Sequence, residues 1–256
     1  MKKFELTTDT KMHFGRKLFR IKALVSFGNV EEGTLGGYVE KEENLDHEGN
    51  AWVYDDAWVC GNAKVYGNAK VCGNAFVCDN AKVSDNAMVY GDALVCGNAD
   101  VYGNAKVYGN ADVYGNAKVY DIAWVSGDAK VYDSAWVYGN AKVCGNAKVY
   151  RNAKVYGNAF LCGNADVCGN AMVCDNAWVS DNADYATVKG FGTQCRATTF
   201  FKCKDRKIHV ACGCFKGTIE DFRKQVKATR TGKIEKEYLM IADLMELHFE
   251  KDESEE

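Results

Sequence analysis

Four histidines, twelve cysteines and one dense run of lysine and arginine are the residues of this 256-residue chain that could do chemistry. His13, His47, His209 and His248 are the candidates for general-base work, because imidazole alone titrates near neutral pH. They are far apart in sequence, and none lies between residues 49 and 186. The cysteines include a column, Cys60, Cys78 and Cys96, at a spacing of 18, and a pair, Cys144 and Cys162, at the same spacing. Stacked thiols could hold a soft metal. Yet there is no CxxC pair with a nearby histidine to close a zinc site, so structural thiols are expected and no metal. Cys195, Cys203, Cys212 and Cys214 with His209 form a second grouping. Val210, Cys212 and Cys214 would share one strand face, which favours buried thiols there too. Residues 187–233 hold 12 Lys+Arg against 3 Asp+Glu, a net of +9, whereas 234–256 hold 2 against 9, a net of −7.

What positions these groups is a period of six. From Gly49 the chain reads GNAWVY, DDAWVC, GNAKVY, and continues through 22 hexads to Ser180, followed by a degenerate DNADYA. Position three is always Ala and position five Val, with Leu161 the exception. Position one is Gly or Asp, with Arg151 the outlier, and position two is nearly always Asn. Ala-x-Val puts two apolar side chains on one face of a short strand, and Gly-Asn or Asp-Asn tolerates positive φ at a corner. Three sides per 18 residues close a triangular parallel β-solenoid of about seven coils, roughly 35 Å long at ~4.8 Å per coil. A 3.6-residue period cannot keep Ala and Val on one face with a repeat of six, so helix is excluded. One coil cannot offset its own ordering entropy, so stability must grow by stacking, and open ends need caps. Residues 1–42 are expected to form a small N-terminal β cap, 43–186 the solenoid, and 187–256 a C-terminal module with an acidic tail. In that module 196–203 and 207–215 read as two strands joined by Lys204-Asp205-Arg206. Two helices follow, the first capped by Thr218, giving a ββαα unit. The terminal acids are expected to be disordered.

Val-Tyr-Gly-Asn-Ala and its variants resemble the left-handed β-helix of the hexapeptide-repeat superfamily, with Gly one position later than in the common pattern. The stretch Glu32-Gly33-Thr34-Leu35-Gly36-Gly37-Tyr38-Val39, with Asn44-Leu45 and Glu48-Gly49-Asn50-Ala51-Trp52-Val53, is similar to the opening of YdcK-type proteins. These are bacterial and phage repeat proteins often labelled acyltransferases or polymer-forming proteins. The resemblance is specific over about 31–60, general over 61–186, and absent from the last 70 residues. It implies the left hand of the coil. It also implies what enzymes of the superfamily use: a histidine between coils and a loop leaving the helix. Neither occurs in the hexads, and His47 reads as a cap or turn residue. An ice-binding reading fails because residues 49–182 contain no Thr.

Position four should face outward. One column there is Trp52, Lys70, Met88, Lys106, Trp124, Lys142, Phe160, Trp178, and its aromatic and Met members are candidate partner contacts. Lysine stems covering the rings are the alternative. Lys202, Lys204, Arg206 and Lys207 are the candidate basic contacts, for a phosphate backbone or an acidic protein. Arg223, Lys224, Lys227 and Arg230 could instead pair with the acidic second helix. The expectation is a non-catalytic scaffold or binding protein that self-assembles or docks a macromolecular partner, with no cofactor. Acyltransferase and nucleic-acid-binding readings are the alternatives. No apolar stretch reads as a signal peptide or membrane span, so cytoplasmic localisation and no membrane partner are expected.

Overall fold

The computed structural model describes residues 2–250, and the expected disorder of the terminal acids falls mainly on 251–256, outside the described residues. Each hexad contributes a two-residue strand at positions four and five, such as Lys64–Val65 and Lys70–Val71. The strands pair in parallel with those 18 residues away, Val95 with Val77 and Val113 for example. Three ladders result, so the rod has three faces. Ala at position three and Val at position five are buried along its whole length. Backbone N–H groups of positions two, four and six donate to carbonyls of positions one, three and five, respectively, of the next coil. Asn62 donates to Asp79, Cys60 to Val77 and Trp58 to Ala75 at 2.6, 3.0 and 2.9 Å.

The corner differs in detail from the expectation. Only position one takes positive φ, from 52° at Asp55 to 75° at Gly91. That accounts for Gly and Asp there, since an L side chain other than Asn or Asp adopts this region at a cost. Asp gains a bond that Gly lacks: the Asp79 and Asp85 carboxylates accept the N–H of Gly97 and Gly103 in the next coil, at 3.1 and 3.0 Å. Asn at position two has an ordinary backbone and serves another purpose. Its amides line up between coils, Asn50 donating to Asn68, Asn68 to Asn86 and Asn86 to Asn104 at 3.0, 3.0 and 3.2 Å.

The rod is longer than the expected seven coils, by a rung that the hexad count omits. Three-strand N-terminal pairing supplies it: β1 (Phe4–His13) and β2 (Arg16–Ala23) are antiparallel, and β3 (Leu35–Val39) joins β2. β3 then pairs in parallel with the rod, Tyr38 with Trp58 and Val39 with Val59, while Leu45 bridges Val65. The ladders therefore hold eight, eight and seven parallel strands. This segment also supplies donors for the first coil's carbonyls. The buried Lys3 ammonium donates to the Ala51 carbonyl at 2.9 Å, and the Asn44 amide to Ala63 at 2.9 Å.

At the other end the ββαα expectation is corrected to four antiparallel strands and two helices. The strands are Tyr185–Val188, Thr198–Lys202, Ile208–Cys212 and Phe215–Thr218, in that spatial order. The degenerate last hexad passes through a 3-10 turn, Asn182–Asp184, into the first strand, and Gly213, at φ 61°, breaks 207–215 into two. Cys214 therefore leaves the face of Val210 and Cys212 and is exposed. α1 (Ile219–Thr229) starts where Thr218 accepts the Asp221 N–H, and α2 (Gly232–Phe249) follows. Period two along Thr198–Lys202 divides its contacts: Phe200 packs with Phe222, Val226 and Tyr238, while Phe201 joins the rod's core. The sheet thus lies across the last coil. Thr199 Oγ1 accepts the Met172 N–H at 3.0 Å, and Asn182 Oδ1 accepts that of Asp166 at 2.8 Å.

Candidate docking groove at the end of the rod

The expected partner residues separate into a wall and an end. On the wall, Trp124 lies between Lys106 and Lys142, whose ammonium groups sit 5.1 and 4.5 Å from its ring centre. Trp136, on another face, is held the same way by Lys118 and Lys154 at 5.5 and 4.6 Å. The alternation of Lys and Trp at a spacing of 18 thus covers these two rings with lysine and leaves charge around them. Met88 is half-buried between Lys70 and Lys106 in the same ladder. Trp52, at the start of the column, is not on the surface at all: Phe27 and Phe4 pack edge-on against it at 5.3 and 6.2 Å, and it is 0% exposed.

Trp178 is the exception, 44% exposed, because it stands on the last rung and has no following coil to bring a lysine. Its ring leans on Phe160 at 4.7 Å. The hairpin linking Thr198–Lys202 to Ile208–Cys212 passes beside it, bridged to the rod through Ala177 and Cys203 and by the Lys204 N–H to the Asn176 carbonyl, 3.2 Å. A groove of about 600 Å³ forms between them, lined by Trp178, Asp184, Lys202, Cys203, Lys204, Arg206 and Phe249, with Ser180. Lys202 is neutralised by Asp184 at 3.1 Å. Burial works to raise the Asp184 carboxyl, but hydrogen bonds from Ser180 and the Lys202 ammonium outweigh it and hold the group below its ordinary range. Lys204 and Arg206 are exposed and make no ion pair among the described residues. Arg206 has φ 63°, a conformation that the tight turn imposes and that costs about 1 kcal/mol or more. Lys207 lies past the turn and does not line the groove. Elsewhere in the module Arg223 pairs with Asp243 and Glu246 of the second helix and Lys233 with Glu237, whereas Lys224 pairs with Asp221 on its own helix and Lys227 and Arg230, expected to meet the second helix, make no ion pair among the described residues.

The structure therefore brings together Trp178, Lys202, Lys204 and Arg206, and leaves Met88 and Trp124 on the wall. It adds Phe249 and Asp184, which the sequence reading passed over. Phe249 closes the apolar pattern of α2, a signal of burial rather than of a groove.

A second groove, about 670 Å³, lies near the other end, with Glu42, Asp46, His47, Lys64, Tyr66 and Lys82 on its walls. His47 stacks on Phe4 at 4.4 Å and accepts the Lys3 N–H on Nδ1 at 3.1 Å. A neutral ring with Nδ1 as acceptor carries its proton on Nε2. Nε2 is then no acceptor, so it cannot serve as a base while this bond holds.

The family model for the YdcK β-solenoid repeat matches residues 81–97, inside the hexads. No curated protein matches the chain.

Proposed function

We propose that this YdcK-type β-solenoid repeat protein is a non-catalytic scaffold that docks an acidic, partly apolar protein segment in the groove at the end of its rod. The observation that carries this reading is the exposed Trp178 beside the uncompensated Lys204 and Arg206. Trp and Arg are the residues that most often anchor protein partners. The lysines over Trp124 and Trp136 argue against docking through those wall rings, and the tautomer of His47 argues against acyl transfer. No helix among the described residues is long and apolar enough to cross a membrane.

A nucleic-acid reading has one specific support, because a base could stack on Trp178 with its phosphate on Arg206. It is weaker because only two cations in the groove are uncommitted, so few phosphates would be neutralised and little counterion release would drive binding.

Fluorescence anisotropy with a labelled Glu/Leu peptide and a labelled single-stranded oligonucleotide, at low and at physiological salt, tests the proposal. The peptide is expected to bind, and Trp178→Ala or the pair Lys204→Glu and Arg206→Glu to weaken it at least about tenfold, ~1.4 kcal/mol. Trp124→Ala is expected to change nothing. Equal losses from Trp124→Ala, or tighter and steeply salt-dependent oligonucleotide binding, would overturn the peptide reading. Acetyl transfer from acetyl-CoA that His47→Ala abolishes would overturn the scaffold.

A further inference from the structure

The turn that presents Lys204 and Arg206 also gathers three donors of different kinds. Cys203 Sγ, an Asp205 carboxylate oxygen and a ring nitrogen of His209 all lie within 4.8 Å of one another. The local backbone accounts for this. Arg206 turns the chain through positive φ, its N–H donating to the Cys203 carbonyl at 2.8 Å, and the Cys203 N–H donates to Lys207 at 3.0 Å. The returning strand then sets His209 opposite Phe201, whose ring stacks against it at 6.4 Å. Asp205 is oriented from the other side. Its Oδ1 accepts the Lys207 N–H at 3.0 Å, which leaves Oδ2 at 3.4 Å from His209 Nε2. Cys203 is buried, while His209 is partly open and Asp205 exposed, so the donors form a cup with one side toward solvent.

We propose that Cys203, Asp205 and His209 bind a thiophilic divalent cation of the zinc class, leaving a fourth coordination position open. One sulfur, one nitrogen and one oxygen suit zinc or cobalt; calcium and magnesium take oxygen alone. Bonds of about 2.0–2.3 Å place tetrahedral donors roughly 3.3–3.8 Å apart, which side-chain rotation reaches from the present spacing. On binding, the Cys203 S–H bond breaks, its proton leaves to water and a sulfur–metal bond forms. Thiolate and carboxylate then balance the two positive charges, so the ion adds none to the surrounding Lys202, Lys204, Arg206 and Lys207. The other cysteines once grouped with His209 do not take part: Cys195 and Cys214 are exposed elsewhere, and Cys212 Sγ accepts the Thr198 hydroxyl at 3.1 Å. The rod's own cluster, Cys78, Asp79 and Cys96, has no nitrogen donor, and its Asp79 Oδ2 is taken by the Gly97 N–H. Bound metal would cross-link the two sides of the hairpin, whose Cys203 also lines the docking groove.

The full chain, stripped with a chelator and kept reduced, is titrated with Co²⁺ and then Zn²⁺. The expected result is a near-ultraviolet thiolate-to-cobalt band that saturates at one ion per chain and disappears when zinc is added. Cys203→Ser should abolish the band. His209→Gln, at a partly exposed site and with its fold checked by circular dichroism, should weaken cobalt at least about tenfold. It should also erase the rise in Tm that zinc gives the parent chain. Absence of the band at equimolar cobalt would overturn the proposal. So would a band that survives Cys203→Ser but is lost in Cys78→Ser with Cys96→Ser, or an unchanged affinity in His209→Gln.

Discussion

Replacing Val113 by Asp will abolish the folded rod. Val113 is fully buried, in register between Val95 and Val131. Around it the interior holds the side chains of Ala and Val, with backbone donors already committed to the ladders. A carboxylate there has no partner, and an uncompensated buried charge costs several kcal/mol, with a further ~1.5 kcal/mol or more from the lost valine burial. The sum is comparable with the whole stability of an ordinary domain, about 5–15 kcal/mol. Coils touch only their neighbours, so a break at the middle divides the rod into halves that each have one uncapped end. Loss of the β signal in circular dichroism and early elution in gel filtration are expected. Lys118→Ala, on the outer face, should stay within about 0.5 kcal/mol. A cooperative melt for Val113→Asp near that of the parent would refute the assignment of the interior.

Alkaline pH will unfold the protein in a window set by its thiols and phenols. Burial pushes the Cys60 thiol up to about 11 and that of Cys174 to about 12. Tyr120, stacked between Tyr102 and Tyr138 at 4.9 Å, is likewise raised to about 12, first by burial and then by its two neighbours. In the unfolded chain these groups release protons near their ordinary values of 9.0 and 10.0. Above those values the folded state binds more protons than the unfolded one, so stability falls as pH rises. The contribution is complete below pH 9 and is lost through the range from about 9 to 12. Lys3 acts oppositely, because burial lowers it to about 8 and its contribution grows with pH, but it is one group against several. In reductant and chelator, Tm should drop by about 10 °C or more between pH 8.5 and 11.5. A flat Tm across that range would contradict the burial of these columns.

The rod was legible because its physics repeats. Ala and Val at a period of two within a period of six leave one arrangement that buries both, and every rung from Trp52 to Val179 follows it. Asn was misread because two kinds of residue sit at one corner, and only the ladder between coils tells which needs positive φ. The ends were less legible for the same reason that they are ends. Tyr38 pairs with Trp58, a spacing of 20 instead of 18, so β3 breaks the period that revealed the rest. Tyr185–Val188 hides in a failed hexad because a strand of the closing sheet and a strand of the rod have similar composition. The groove depends on what is missing, a lysine after Trp178, and on a turn that brings Lys204 and Arg206 alongside. Composition flagged those cations without saying which were already paired; Arg223 and Lys202 were, Lys204 and Arg206 were not.

The claim that contacts are made at the end of the rod and not on its walls is tested most directly by hydrogen–deuterium exchange, read by mass spectrometry with and without the Glu/Leu peptide. Bound peptide is predicted to slow exchange in 176–184 and 202–209 and to leave 82–160 unchanged. Protection spread along 82–160, with none at 202–209, would contradict it.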